Sequence, residues 1–316
     1  MTKSTAGSSK LAYTARFSAK FLKPDFWLTW LSVAILFVLN LLPLAVTDAV
    51  ANMLGDLSRK INAKRRRIAL KNLQLCFPAL SATELKRMLK QVSRAQVRSV
   101  LHYGLIWWRP KSVLQKRIEV IGLENIEASR QAGRSVIVMT SHSVGLEAAV
   151  TIISMHYPVS AIFKKIKNRV TNWLVFRGRS RFGTILYSRD VGLRPVIKDV
   201  RAGQVLFYLS DEDLGREQSV FVPFFGIPKA TIPVLGRLAK SCNADVLPCI
   251  SCYDESRHKY VIHILPALQN FPVGDDEQDA ARMNQAIEET VGICPEQYFW
   301  TLRLFRTRPK GEARFY

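Results

Sequence analysis

The stretch SVIVMTSHSVGLEAAVTIISMH, from Ser135 to His156, decides the fold because it holds a strand, a turn and a helix in succession. Its first six residues form a short apolar run rich in β-branched side chains, which is typical of a buried strand. After Gly145 the apolar residues recur at helical spacing. His142 therefore follows the carboxyl end of a strand, and Glu147 lies in the first turn of a helix. Sites of α/β proteins lie at this edge of the sheet.

The alternation of strands and helices continues from Arg117 towards the end of the chain. Strands are predicted at residues 117–121, 135–140, 159–163, 183–187, 205–209, 245–251 and 259–265. Helices are predicted near residues 123–132, 146–156, 168–180, 193–202, 231–243 and 276–292. This pattern predicts an α/β fold with a sheet covered by helices. Residues 49–116 are expected to form a helical lead-in to an α/β core at 117–316.

An uncharged segment near the start of the chain predicts a membrane anchor. FWLTWLSVAILFVLNLLPLAV, from Phe26 to Val46, is long enough to cross a bilayer as a helix. We predict a basic tail at residues 1–24 and an anchor helix at 25–48. Asn40 and Pro43 weaken the span, which leaves a tilted or half-inserted anchor as the alternative. Basic residues flank both ends, so charge does not decide the orientation.

The charge of the whole chain constrains its partners. Lys and Arg number 46 against 25 Asp and Glu, which gives a net charge of +21. Such a surface attracts nucleic acid, anionic lipid headgroups or an acidic protein. Composition alone leaves these three classes of partner open.

The chain has five cysteines, and an odd number in a long chain does not suggest a disulfide framework. We expect reduced thiols in a cytosolic setting. Cys249 and Cys252 precede His258 and His263 in a compressed zinc-like pattern. Residues three apart on a strand point to opposite faces, so no metal site is predicted.

His142 and Glu147 are the first candidates for catalysis. A strand–turn–helix brings them together, and a carboxylate in the first turn of a helix is favoured in its charged form. Glu147 could then orient the imidazole while His142 takes a proton. About 0.4 matches to this His-x4-acid spacing are expected by chance, so the pair alone is a weak signal. The chain has no Gly-x-Ser-x-Gly elbow, which disfavours a serine hydrolase.

Two charged clusters bear on the substrate. Arg177, Arg179 and Arg181 in FRGRSRFG could line one face of an extended segment and bind phosphate or stabilise an oxyanion. A solvated basic face is the ordinary alternative. In YLSDEDLG, Asp211 and Asp213 follow a predicted strand. These acids could bind a metal, but a surface turn is the ordinary explanation.

Several blocks in order identify a family. HSVGLE, NWLVFRGRSRFG, GLRPVIKDVRAGQVLFYLSDEDLG, SVFVPFFGIPKATIPVLGRLAKSC and PEQYFWTLRLFRTRP resemble the late acyltransferases of lipid A biosynthesis. These enzymes belong to the lysophospholipid acyltransferase superfamily, and the resemblance spans roughly residues 20–310. SDEDLG, FVPFFG and KATIPVLGRLAK most resemble the branch that adds the last acyl chain. Ser143 and Ser210 depart from the residues that are usual in the family.

The resemblance implies a fold and a reaction. The fold is a glycerol-3-phosphate acyltransferase-like mixed sheet preceded by an N-terminal membrane helix. The reaction transfers a C12–C14 acyl chain from acyl-acyl carrier protein to a hydroxyl of a 3-hydroxyacyl chain on a Kdo2-lipid A precursor. Neither a cofactor nor a metal is implied. The expected location is the bacterial inner membrane, with the catalytic domain on the cytoplasmic face and in contact with anionic phospholipid.

The resemblance also implies roles for the candidate residues. His142 is the general base and Glu147 orients it. Phosphate binding or oxyanion stabilisation is assigned to Arg177, Arg179 and Arg181, and a structural or positioning role to Asp211 and Asp213.

Two other functions compete with this one. Glycerolipid acyl transfer would use the same His-x4-acid pair. A membrane-anchored basic protein that binds nucleic acid would explain the charge without catalysis. The ordered set of blocks favours lipid A acyl transfer, and nucleic acid is not an expected partner.

Overall fold

The computed structural model describes residues 11–316, and residues 1–10 of the predicted basic tail lie outside this range. The α-helices are α1 Trp27–Leu41, α2 Leu44–Ile61, α3 Ala63–Cys76, α4 Ala82–Leu101, α5 Tyr103–Trp108, α6 Lys111–Arg117, α7 Leu123–Gln131, α8 Leu146–His156, α9 Arg169–Arg179, α10 Arg194–Arg201, α11 Val234–Cys242 and α12 Asp276–Val291. The strands are β1 Ile118–Ile121, β2 Ser135–Thr140, β3 Val159–Phe163, β4 Ile185–Ser188, β5 Val205–Leu209, β6 Val220–Phe224, β7 Ile227–Thr231, β8 Ala244–Asp254 and β9 Lys259–Ile264.

Seven strands form one sheet in the order β1-β9-β8-β2-β5-β3-β4. Only the β8–β9 pair is antiparallel, and the other neighbours run parallel. Alternate residues of β2 enter different cores, since Val136 and Val138 pack on one face and Ile137 and Met139 on the other. Helices cover both faces, as a parallel sheet requires. The predicted α/β fold with a mixed sheet is confirmed.

A two-stranded hairpin, β6–β7, escaped the sequence prediction, which began a helix at residue 231. Pro223 pairs with Pro228 across the hairpin, and prolines inside a strand hide its pattern. The turn residues Phe225 and Gly226 both have positive φ, 48° and 74°, as a tight hairpin turn requires. The following helix, α11, therefore begins only at Val234.

The apolar N-terminal segment forms two helices instead of one anchor at 25–48. Helix α1 ends at Leu41, and α2 begins at Leu44 after Pro43, which cannot continue a helix hydrogen-bonding pattern. Pro24–Leu41 is long and apolar enough to span a membrane by length and composition. Asp48, the predicted end of the anchor, is buried in the protein.

The residues before α1 contact the α/β core. The amide of Tyr13 donates to the carbonyl of Leu186 at 2.8 Å, along the outer edge of β4. The Tyr13 ring packs against Phe163 and Phe176. This segment therefore covers an edge strand that would otherwise expose unpaired backbone groups.

The expectation that all cysteines are reduced is wrong. Cys252 and Cys294 form a disulfide, whereas Cys76, Cys242 and Cys249 are buried thiols. The bridge joins the end of β8 to the loop that follows α12. No local pattern pairs two cysteines that are 42 positions apart in the chain.

Candidate active site

The register of the sheet brings His142 and Asp211 together. β2 and β5 are parallel neighbours, and Thr140 is opposite Leu209. The amide of Ser210 extends the ladder by donating to the carbonyl of Thr140 at 3.2 Å. His142 and Asp211 each lie two residues beyond the Thr140–Leu209 pair, so they meet at the carboxyl edge of the sheet.

Asp211 accepts three hydrogen bonds around the histidine. Its Oδ1 lies 2.7 Å from His142 Nδ1, and its Oδ2 accepts from the His142 amide at 2.9 Å. The hydroxyl of Tyr298 donates to the same Oδ2 at 3.0 Å. An ionised carboxylate only accepts, so Nδ1 carries the proton and Nε2 remains the basic nitrogen.

The charge states of this pair follow from burial and attraction. Burial alone lowers the pKa of His142, but attraction to the Asp211 carboxylate outweighs it and raises this pKa above its ordinary value. Burial raises the pKa of Asp211, and the interactions with His142 reverse the effect and lower it. The His142 side chain retains 20% exposure, whereas Asp211 is fully buried. The imidazole is thus open to a substrate on its free side only.

The loop that carries His142 is held by a distant segment of the chain. The amide of Phe299 donates to the carbonyl of His142, and the amide of Val144 donates to the carbonyl of Gln297, both at 3.0 Å. Gln297 in turn bonds the backbone of Tyr253 on β8 through its side chain. The disulfide precedes this segment directly, so β8 and the loop 142–144 are braced together.

Glu147, which was expected to orient His142, forms its hydrogen bonds with Arg179 instead. Its Oε1 accepts both from Nε of Arg179 at 2.8 Å and from a terminal nitrogen of the same guanidinium. Glu147 meets Arg179 because it lies in the first turn of α8, and this turn faces the end of α9. Burial lowers the pKa of Arg179, but the attraction to Glu147 raises it overall. Within residues 11–316, Glu147 Oε2 has no hydrogen-bond partner.

The three predicted arginines do not share a face. Arg177 and Arg179 lie in the last turn of α9, and Arg181 lies in the 3₁₀ turn that follows. The Arg177 guanidinium lies 5.8 Å from the centre of the Trp173 ring. Arg181 donates to the carbonyl of Ile106 at 3.3 Å. Only Arg179 reaches the cavity beside His142, because the chain is helical there and not extended.

The acidic loop 211–213 is not a surface turn. Asp213 is almost fully buried and accepts from the amide and hydroxyl of Thr307, at 2.6 and 2.7 Å. Lys229 on β7 is fully buried behind both aspartates and is drawn to them electrostatically. Its Nζ has no hydrogen-bond partner in the described part of the chain, and burial lowers its pKa. Sequence reasoning missed Lys229 and Tyr298, since no local spacing connects either residue to His142.

A cavity of about 220 Å³ adjoins His142, Glu147 and Arg179. Its wall is mainly apolar and is formed by Val144, Leu146, Val150, Ala161, Phe163, Leu186, Phe207, Leu209 and Phe299. Polar groups, among them His142, Glu147 and Arg179, complete the lining. Such an arrangement suits a substrate with an apolar chain and a reactive polar end.

The fold and the site define an α/β enzyme that can take a proton beside an apolar binding cavity. The family model for bacterial lipid A biosynthesis acyltransferases matches residues 14–307. The chain is 37% identical to a lipid A biosynthesis acyltransferase of Haemophilus influenzae, over 96% of both chains. It is 34% identical to the lipid A biosynthesis myristoyltransferase of Escherichia coli K12, over 96% of this chain and 94% of that one. The lauroyltransferase of the same organism is 31% identical over 94% of this chain and 97% of that one. The chain belongs to the bacterial lipid A biosynthesis acyltransferase family, which confirms the resemblance stated above.

Proposed function

We propose that the protein transfers a C12–C14 acyl chain from acyl-acyl carrier protein to a hydroxyl of a 3-hydroxyacyl chain on a Kdo2-lipid A precursor. The observation that carries this proposal is the His142–Asp211 pair beside a mainly apolar cavity, in a chain of this family. The cavity supplies an apolar environment for an alkyl chain. The imidazole supplies the base that an alcohol acceptor needs.

His142 acts as the general base through Nε2. It takes the proton from the acceptor hydroxyl as that oxygen attacks the thioester carbonyl carbon. Asp211 stabilises the imidazolium that results, because its carboxylate is bonded to Nδ1–H. Collapse of the tetrahedral oxyanion breaks the carbon–sulfur bond, and the imidazolium returns the proton to the leaving thiolate. The products are an ester and the thiol of the carrier.

Arg179 stabilises the negative charge that develops on the carbonyl oxygen, and Glu147 positions it. The guanidinium lines the cavity and is held by Glu147 Oε1 at 2.8 Å from Nε. A fixed cation at a developing oxyanion lowers the barrier without reorganisation. In this assignment Glu147 acts through Arg179 and not through His142. For Arg177 and Arg181, which do not line the cavity, phosphate binding is the proposed role.

The proposed partners carry negative charge. The carrier protein is acidic, the acceptor carries phosphates and carboxylates, and the bilayer is anionic on its cytoplasmic side. A net charge of +21 favours all three encounters. We therefore propose that the protein works at the bacterial inner membrane, with its catalytic domain on the cytoplasmic face.

Mass spectrometry of lipid A tests the proposal. A deletion strain should lack one or more secondary acyl chains, and the native gene should restore them where a His142→Ala gene does not. The purified enzyme should acylate tetra-acyl or penta-acyl acceptors from defined acyl donors. An unchanged acyl count together with altered phospholipid acylation would instead favour the glycerolipid reaction.

A further inference from the structure

The position of helix α1 against the catalytic domain is unusual for an anchor that crosses a membrane. One side of α1 contacts the domain near both of its ends. At the beginning, Asn168 of the α9 cap donates to the Thr29 hydroxyl at 2.9 Å. At the end, Arg109 donates to the carbonyl of Asn40. These contacts are about 16 Å apart at 1.5 Å rise per residue.

Between these two ends, aromatic rings of α1 also pack against rings of the domain. The Phe37 and Trp108 rings are 5.6 Å apart, and the Trp30 and Trp173 rings are 6.2 Å apart. Gly104 on α5 lies so near α1 that a Cβ there would be 2.9 Å from the Asn40 Cβ. The domain therefore packs against one side of α1 along most of the length of this helix.

The other side of α1 is apolar and exposed. Leu28, Leu31, Ile35, Val38 and Leu42 recur every three or four residues, and their exposures range from 37% to 77%. No side chain of α1 is buried. A contiguous exposed apolar stripe of this kind marks a surface that binds another protein or a membrane.

The exposed stripe continues beyond Pro43 onto α2. Val46, Met53, Leu57 and Ile61 are exposed on the side of α2 that faces away from α4. Basic residues flank the two helices, with Lys20 and Lys23 before α1 and Arg59, Lys60 and Lys64 around the end of α2. Cations beside an apolar stripe match a bilayer with anionic headgroups.

We infer that α1 lies in the plane of the membrane surface, with its stripe Leu28–Leu42 sunk into the bilayer, instead of crossing it. If α1 stood along the membrane normal, about half of the ~30 Å hydrocarbon layer would have to hold α5 and α9. Arg109, Asn168 and Arg177 lie on or beside those two helices, and placing such charged or polar side chains in hydrocarbon costs free energy. Lying flat, α1 buries its stripe and leaves the domain in water.

The in-plane position also brings the active site close to the lipid. Tyr103 begins α5, the helix that packs on α1, and it lines the cavity beside His142. The cavity is thus one helix away from the membrane surface. The inference itself rests on the contacts of α1 and does not depend on the proposed reaction.

Depth measurements with spin labels test the inference. Single cysteines replace Leu28, Ile35 and Leu42 in the full-length protein, bound to vesicles of phosphatidylethanolamine and phosphatidylglycerol. These side chains are exposed, so labels there leave the packing intact. Relative accessibility to oxygen and to a water-soluble nickel complex should give one common depth, equal to within about 5 Å. A label at Lys240, an exposed position on α11, should stay in water, and the labelled parent gives the background from buried thiols.

Two results would overturn the inference. A steady gradient of depth, approaching 20 Å between the labels at 28 and 42, is what a helix along the membrane normal produces (at about 1.5 Å per residue). Water exposure at all three positions would mean that the stripe does not meet lipid. Cysteines at Lys23 and Lys60 give a second reading, because an impermeant maleimide should reach both from the same side of sealed vesicles.

Discussion

At the scale of single residues, the site gives its two carboxylates different partners. Asp211 holds the imidazole of His142, and Glu147 holds the guanidinium of Arg179. In the proposed mechanism the first pair prepares a base and the second prepares a cation, which are the two functions that acyl transfer to an alcohol needs. Neither carboxylate is available for the other task.

The Glu147–Arg179 pair should stabilise the protein as well as the transition state. We expect Arg179→Met to lower the free energy of unfolding by about 3–5 kcal/mol, because Glu147 would keep a buried, unpaired charge. The double variant Glu147→Gln/Arg179→Met removes that charge and should recover part of the loss. Denaturant unfolding of both variants measures the difference. Equal instability of the single and double variants would contradict the pairing.

Sequence reasoning found the residues of the site more readily than their roles. His142 and Glu147 are close in the sequence, so spacing favoured them as partners. Asp211 is 69 residues from His142, and only the β2–β5 register joins them. Once two strands are predicted as parallel neighbours, residues just beyond their ends become candidates for contact. The order of strands in a sheet, however, is not contained in local periodicity.

At the scale of elements, Gly145 controls the turn between β2 and α8. Its φ of −96° is open to any residue, so a tight turn is not why glycine stands here. A Cβ at this position would lie 1.9 Å from Ser251 Oγ and 2.9 Å from the Tyr260 ring. Close packing of the turn against β8 and β9 is therefore the reason.

Replacement of Gly145 should displace the turn that carries both His142 and Glu147. We expect Gly145→Ala to reduce acyl transfer at least tenfold and to destabilise the protein by about 1–3 kcal/mol through overpacking. The double variant Gly145→Ala/Ser251→Gly clears the obstructing side chain and should restore part of both losses. Activity and thermal unfolding of the two variants provide the test, and a fully active Gly145→Ala enzyme would refute the packing explanation.

Helix α2 is joined to the core by a buried carboxylate, Asp48. Arg98 donates to it at 2.9 Å, Tyr253 and His258 approach it at 2.7 Å, and His102 lies at 3.2 Å. Burial alone raises the pKa of Asp48, but the hydrogen bonds from His102, Tyr253 and His258 lower it to about 2. The charged form is therefore the one that stabilises the fold.

Loss of the Asp48 charge should destabilise the protein in a pH-dependent way. Asp48→Asn leaves the buried Arg98 with the exposed Glu255 as its remaining counter-charge, and we expect it to cost about 3 kcal/mol at neutral pH, the lower end of the range for a broken buried ion pair. A lowered pKa in the folded state contributes stability above the ordinary range of a carboxyl group, and this contribution is lost as the pH falls. The difference between wild type and variant should shrink as the pH falls towards about 2. A pH-independent difference in unfolding free energy would contradict this assignment.

The elements of the core could be predicted because their hydrophobic patterns are strong. All seven strands of the main sheet were predicted, and helix α8 was predicted at its observed bounds, Leu146–His156. The β6–β7 hairpin was missed because Pro223 and Pro228 mask it. The sequence analysis treated Pro43 only as a weak point within one membrane span. It did not predict the break between α1 and α2, because hydrophobic periodicity does not show what a helix packs against.

At the scale of the whole molecule, the excess of positive charge should govern attachment to lipid. With a net charge of +21, binding to vesicles that contain phosphatidylglycerol should weaken as salt rises from about 0.1 M to about 1 M. The apolar stripe of α1 should leave a salt-resistant fraction. Co-sedimentation measures both parts, with neutral phosphatidylcholine vesicles as the comparison. Equal binding to neutral and anionic vesicles would show that charge does not contribute.

The central claim is that His142, held by Asp211, is the base for acyl transfer, and the pH dependence of the rate tests it most directly. The base must be neutral, and attraction to Asp211 outweighs burial and raises the pKa of His142 above its ordinary value, so the rate should fall along an acid limb as the imidazole takes up a proton. In Asp211→Asn the raising charge is gone, so the acid limb should move to lower pH, with a maximal rate at least a hundredfold smaller (about 10² or more). Glu147→Gln should reduce the rate but leave the acid limb in place. An acid limb that moves in Glu147→Gln and stays in Asp211→Asn would contradict the account.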